Sequence, residues 1–387
     1  MPLKLNILWI VLLAVLVAGC STVTVETPTV TEVRLPSPKP LAMSSVAIDT
    51  NALIETAVVT NLPPIPTLPV TPLVALPVMT GAGPTNAAIL TPSVVPANGW
   101  LPLQNWCQSN SLGNMQKIGS GQYAVVTRAG TLSVLLGSQM AHWDGTAIWL
   151  GFAPRIVGGQ VCLHALDAQK TLDPLLHRAP PAAKPGRVLV IDPGHGGSDG
   201  GTVGSNKKHL EKNFALDWAL RIQALLRTNG WNVFLTRSAD VDLALTNRVA
   251  FADQVGADLF VSLHFNGLNA AASHSGVETF CLTPTGLPSS VTRGYEDNVR
   301  LEFPNNSYDR DNLQYAYRLH REILAATHAT DGGLRHARFM GVLRGQHRPA
   351  VLIEGGFLSN TEEARRVATP AYRQKLAEAV ARALTEQ

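Results

Sequence analysis

Val188-Leu189-Val190-Ile191-Asp192-Pro193-Gly194-His195-Gly196-Gly197 is an apolar, largely β-branched run that ends abruptly in a glycine-rich turn carrying a histidine. A run of this kind, bounded by Pro and Gly, reads as a buried strand, and glycine permits the tight path beyond its end. His195 is thereby held just past a sheet edge, where α/β proteins place their chemistry. One histidine in a turn is weak evidence, but the arrangement recurs. Leu259-Phe260-Val261-Ser262-Leu263-His264-Phe265-Asn266-Gly267 is a second apolar run with a histidine near its end, and Ala350-Val351-Leu352-Ile353-Glu354-Gly355-Gly356-Phe357 is a third, closing on a carboxylate. Three parallel strands would carry His195, His264 and Glu354 to one rim.

Working outward, strands and helices alternate through the last 200 or so of the 387 residues. Phe214, Trp218, Ile222, Leu225 and Leu226 recur at helical spacing within Glu211 to Thr228, a helix closed by Gly230. Trp231 to Thr236 reads as a strand, Leu243 to Val255 as a helix, and Gly276 to Cys281 as a strand near an edge. A long helix runs from about Asn312 to His328; Phe339 to Leu343 and Ala350 to Ile353 read as strands, and Ala371 to Leu384 as the closing helix. Such alternation predicts an α/β layered domain over 187–387 with a mostly parallel sheet flanked by helices.

The chain ahead of it divides by composition. Lys4, the apolar run Ile7 to Val17 and the small residues before Cys20 form a secretory pattern, shorter than the roughly 20 residues a spanning helix needs. It resembles a bacterial lipoprotein signal over residues 1–19, in which Cys20 becomes the lipidated first residue; Ser21 resembles the pattern that permits transfer to an outer membrane. An exported, lipid-anchored protein is expected, facing the periplasm if the cell is Gram-negative. Residues 20–99 hold half of the 26 prolines, with only Asp49 and Glu55 charged between Leu41 and Gly99. Prolines at this density favour extended backbone and a tether. From 100 to 179, short runs such as Tyr123 to Thr127, Leu132 to Leu136 and Ala147 to Phe152 lie between Gly-containing turns and predict a small, mainly β domain. Cys107 and Cys162 flank it and would form a disulfide in an oxidising compartment. The Pro-rich stretch 180–186 reads as a linker. A formal charge of +3 with 15% charged residues gives no nucleic-acid footprint.

Glu211 opens the helix that follows the polar loop after His195, so its carboxylate can turn back to the rim. Two imidazoles and one carboxylate suit a tetrahedral Zn²⁺, one per chain, with a fourth position left for water. Water on zinc becomes acidic enough to attack an amide near neutral pH, and Glu354 is free to take its proton and pass it to the leaving nitrogen. The structural alternative for Glu354 is a salt bridge to Arg248 or a bond to a main-chain amide.

The motifs together resemble the zinc-dependent N-acetylmuramoyl-L-alanine amidases of the amidase-3 group. The matching stretches are Ile191 to Gly197, Glu211-Lys212-Asn213, Leu235-Thr236-Arg237 with Asp240, Arg248, Ser262 to Asn266, Gly276-Val277-Glu278 and Pro349 to Asn360. The resemblance implies His195, Glu211 and His264 as zinc ligands and Glu354 as the catalytic glutamate. Asn266, Arg248 and Glu278 become candidates for touching substrate or steadying the ligands. It implies peptidoglycan as the substrate, cleaved between N-acetylmuramic acid and the L-alanine of the stem peptide. The other readings are an inactive wall-binding or regulatory protein and an amidase for another peptide amide. Some relatives carry an inserted helix that blocks the zinc until an activator protein displaces it; here Pro284 to Asn312 reads as a loop.

Overall fold

A computed structural model describes residues 99–177, 186–204, 209–267 and 274–385. Cys20, the signal and tether, and all of the linker but Gly186 lie outside the described residues. The β-rich segment begins with β1 (Trp100–Pro102) and α1 (Leu103–Ser109). A meander follows: β2 (Gln116–Gly119), β3 (Gln122–Thr127), β4 (Gly130–Leu135), β5 (Met140–Trp143) and β6 (Thr146–Trp149). It closes with β7 (Arg155–Val157), β8 (Gln160–His164), α2 (Ala165–Asp167), a π-helical turn and α3 (Asp173–Leu176). The α/β segment runs β9 (Arg187–Pro193), α4 (Glu211–Leu226), β10 (Trp231–Leu235), α5 (Leu245–Gln254), β11 (Leu259–Asn266) and β12 (Val277–Cys281). It continues with α6 (Asp309–Thr327), β13 (Asp331–His336), α7 (Gly341–Arg344), β14 (Ala350–Phe357), α8 (Thr361–Ala368) and α9 (Pro370–Thr385).

The sheet order is β10-β9-β11-β14-β12-β13-β6-β5-β4-β3-β2, with β1-β8-β7 forming a separate three-stranded sheet. From β10 to β14 all pairings are parallel; β12 enters antiparallel to β14. The strands obey period-two alternation across both faces. Leu189, Ile191, Val261, Leu263, Val351 and Ile353 face a core completed by α4, α6 and α9, including Trp218, Leu319 and Leu376. Val190, Phe260 and Leu352 face the other way, against Ala252 of α5 and Val342 and Leu343 of α7. Both faces are covered, which is why these strands read as continuous apolar runs.

Three expectations need correction. The 276–281 strand is not near an edge: every residue of β12 is buried, because β13 pairs along its far side. Within Phe339 to Leu343 there is no strand; residues 341–344 form the short helix α7, and the strand that sequence reading passes over is β13. Its opening Asp331-Gly332-Gly333 looks like a turn. The Cys107–Cys162 disulfide is not made: both are buried free thiols, Cys107 within the core under α1 and Cys162 with its Sγ 3.6 Å from the Gln160 carbonyl. Burial pushes the Cys107 thiol up to about 11 and raises that of Cys162 as well, so neither is poised as a thiolate.

The meander joins the α/β sheet through β6, which runs parallel to β13 at Leu334 and Ile148. Asp331 accepts the Ala147 N–H at 2.8 Å, and Trp106, Val125 and Leu132 belong to the same core as Leu189 and Trp218. Between β12 and a 3₁₀ turn at Pro304–Tyr308 the chain carries no helix. Arg338, fully buried, pins this loop through the carbonyls of Pro284 and Leu287 and the Asp297 carboxylate.

Candidate metal centre

β9, β11 and β14 are adjacent and parallel, so their C-terminal ends share one rim; His264 and Glu354 stand directly opposite each other in the β11–β14 register. Glu211, the first residue of α4, turns into that rim and is 3% exposed. Its Oε1 lies 2.8 Å from His264 Nδ1 and 3.2 Å from His195 Nε2. Two backbone amides fix the carboxylate, Phe265 N–H onto Oε1 at 3.0 Å and Thr202 N–H onto Oε2 at 2.7 Å. Among the described residues, His195, Glu211 and His264 form the one His/Cys/Asp/Glu group whose donor atoms converge within 4.8 Å. Burial would raise the Glu211 pKa, but hydrogen bonds and charge from both histidines outweigh it and hold the carboxyl below its usual range.

The turn after β9 is held with unusual stringency. His195 has a left-handed backbone (φ 61°), a conformation uncommon outside glycine. Two buried arginines hold it there. Arg248 donates to the carbonyls of Pro193 and His195 at 2.9 and 2.8 Å, and Arg237 to those of Pro193 and Gly194 at 3.0 and 2.7 Å. Gly194 is required because a Cβ there would lie 2.2 Å from the His264 ring. His195 donates or accepts at Nδ1 with Asp199 Oδ2, 2.7 Å away; as donor, it leaves Nε2 free to ligate. Asp199 was not among the sequence candidates, although its place four residues beyond His195 across a glycine turn was a usable signal.

Arg248 belongs to the scaffold. Its guanidinium meets Asp192 at 2.7 Å and turn carbonyls, not Glu354, and Asp192 also accepts from Thr236 and Ser262 at 2.6 and 2.7 Å. Removing one member of a buried ion pair leaves the other uncompensated, so Arg248→Met is expected to lower stability by about 3–5 kcal/mol. Denaturant unfolding of wild type and variant checks this; a loss below about 1 kcal/mol would contradict the role.

Glu354 is buried, and its Oε2 makes no hydrogen bond with a described protein group. Burial, then the neighbouring charge of Glu211, push its pKa well above the ordinary range, with Glu278 adding to the rise and Arg293 opposing it. Glu278, its antiparallel neighbour on β12, is instead fully engaged, with Arg335 at 2.6 Å and the Asn266 amide at 2.9 Å. Asn266 Oδ1 in turn accepts from Arg293 at 2.8 Å. Arg293 and Arg335 were also missed, since neither lies in a motif.

Residues 189–386 match the N-acetylmuramoyl-L-alanine amidase family, amidase-3. The chain belongs to this family. AmiA of Escherichia coli, an N-acetylmuramoyl-L-alanine amidase, is 31% identical over 228 residues, which span 53% of this chain and 78% of AmiA. AmiA of Salmonella typhimurium is 32% identical over 242 residues, 56% of this chain and 83% of that protein. The solved catalytic domain of CwlV from Bacillus (Paenibacillus) polymyxa is 31% identical, covering 52% of this chain and 97% of the domain, with a TM-score of 0.43. As an amidase-family chain it keeps two imidazoles and one carboxylate at the rim, a donor set that fits a single tetrahedral zinc with an open position.

Proposed function

We propose that this protein is an active, zinc-dependent N-acetylmuramoyl-L-alanine amidase that cleaves the amide between the lactyl group of N-acetylmuramic acid and the L-alanine of the peptidoglycan stem. The observation that carries the reading is the pairing of a convergent His195, Glu211 and His264 set with a buried glutamate oxygen that has no partner of its own. The three ligands would hold zinc, which when bound supplies a Lewis acid for the scissile carbonyl and lowers the pKa of water. Glu354 Oε2 takes the proton of the attacking water and delivers it to the leaving nitrogen. A buried carboxyl with one oxygen free of any described protein partner, its pKa raised by burial and by Glu211, is placed to carry that proton. An inactive wall-binding descendant is disfavoured because no ligand and no base has been lost. Peptidoglycan incubated with the purified protein should release stem peptides with a free L-alanine amino terminus while the glycan keeps its sugars. New reducing ends or cleavage within the peptide would overturn the assignment.

We further propose that Cys20 is lipidated and holds the protein on the membrane, an outer membrane facing the periplasm in a Gram-negative cell. Two or more acyl chains give stable anchoring where one gives only marginal binding. Cys20→Ala should move the protein from the detergent phase to the aqueous phase, or leave the precursor unprocessed, with the zinc site intact. Equal partitioning of wild type and C20A in wall-free membranes would argue against the anchor.

A further inference from the structure

We propose that Trp149, on the β-rich segment, is a positioning residue for the polar face beside Glu354, acting through Arg335 and Glu278 on Asn266 and Arg293. The β-rich segment would then be part of the amidase machinery and not only a separate wall-binding appendage.

Trp149 ends β6, and its indole N–H donates to the Gly332 carbonyl at 3.3 Å. The indole packs close against the start of β13, where a Cβ on Gly333 would sit 3.0 Å from it. Arg335, two residues along the strand, places its guanidinium 4.4 Å from the Trp149 ring centroid. A planar guanidinium between an aromatic face and a carboxylate keeps one orientation, which a lysine cannot reproduce. Arg335 Nε lies 2.6 Å from Glu278 Oε1 and 3.2 Å from the Gly332 carbonyl.

From there each link is a hydrogen bond between side chains, first across β14 from β12 to β11 and then to the adjoining loop. Glu278 Oε2 accepts from Asn266 at 2.9 Å, and Asn266 Oδ1 accepts from Arg293 at 2.8 Å. Asn266 lies two residues beyond the ligand His264, and Glu278 faces Glu354 across the β12–β14 ladder. Arg335 has a second effect, since it compensates a buried carboxylate that would otherwise repel the other two acids of the rim. Without the ring above it, Arg335 is free to leave Glu278, and the Asn266 amide loses its fixed acceptor.

The test reads the far end of the chain of contacts directly. Full-length protein labelled with ¹⁵N-asparagine reports the Asn266 side-chain amide pair, identified by its disappearance in Asn266→Asp. Trp149→Leu, which keeps apolar bulk but no aromatic face, should shift that pair toward the position of solvated amides and speed its hydrogen exchange. Trp149→Phe should leave it near the wild-type position. An unmoved amide in folded W149L overturns the proposal. If W149L does not fold, Arg335→Lys serves instead: the same shift is expected, and an unmoved signal in R335K overturns the proposal equally.

An activity measurement adds the coupling and rests on the amidase reading. On a soluble muropeptide, zinc-loaded W149L should lose roughly 3- to 30-fold in kcat/KM, and W149L combined with Asn266→Ala should be no worse than N266A alone. Effects that multiply independently would overturn the relay. Absence of turnover in wild type would instead overturn the amidase reading, leaving the amide signal to decide the positioning role.

Discussion

Glu211→Ala is expected to yield a folded protein that holds no zinc and hydrolyses no peptidoglycan. Every contact of this carboxylate serves the rim: both histidines meet Oε1, and two main-chain amides fix its plane. Loss of a mere orienting partner typically weakens metal binding roughly 10- to 100-fold, and loss of the ligand itself should exceed that. Binding should also weaken in acid, with a sign that follows from the site. An imidazole must be neutral to ligate. Burial opposes the charged form of His195, but Glu211 and then Asp199 outweigh it and raise its pKa above the ordinary histidine value. Protons therefore begin to compete with zinc at a higher pH than at an unperturbed histidine, and affinity should already be falling between about pH 7 and about pH 6. Metal analysis after dialysis, and zinc titrations across that range, measure both effects. A stoichiometric zinc in E211A would remove Glu211 from the coordination set, and affinity unchanged down to about pH 5 would contradict His195 as a ligand.

The rim could be read from the sequence because its physics is local. Each of β9, β11 and β14 is largely buried, so each shows as a mainly apolar run, and a histidine or a carboxylate stands near the end of each. That logic found His195, His264 and Glu354 without any knowledge of pairing. It failed at β13, where Asp331 is polar for a tertiary reason: its carboxylate accepts from Gly333, Ala147 and His320 and so ties β13 to β6 and α6. The two glycines that follow serve the Trp149 ring and not a turn. Asp199, Arg293 and Arg335 act through partners distant in sequence or across a tight turn, and no periodicity records such partners. The disulfide expectation failed because flanking positions in sequence do not set where each thiol points: Cys107 packs into the core, and Cys162 Sγ lies 3.6 Å from the Gln160 carbonyl.

Glu354→Gln separates chemistry from metal binding. The substitution keeps shape and hydrogen-bonding capacity but removes the ability to carry a proton. Glu354 is unlike Glu211 in every contact that matters: no main-chain amide fixes Oε2, no histidine meets it, and burial with the neighbouring carboxylates lifts its pKa where the histidines lower that of Glu211. A group so placed exchanges protons readily and has no structural duty that Gln would disturb. General acid–base groups contribute roughly 10²- to 10⁴-fold, so turnover should fall by that order while zinc occupancy stays at one per chain. Muropeptide release and metal content measured on the same preparations give the comparison. Near-normal turnover in E354Q would require another proton carrier, and Glu278 is poorly suited because Arg335 and Asn266 already occupy both of its oxygens. Zinc lost from E354Q as fully as from E211A would place Glu354 in the coordination shell, and the proton path to the leaving nitrogen would then have to run through a different group.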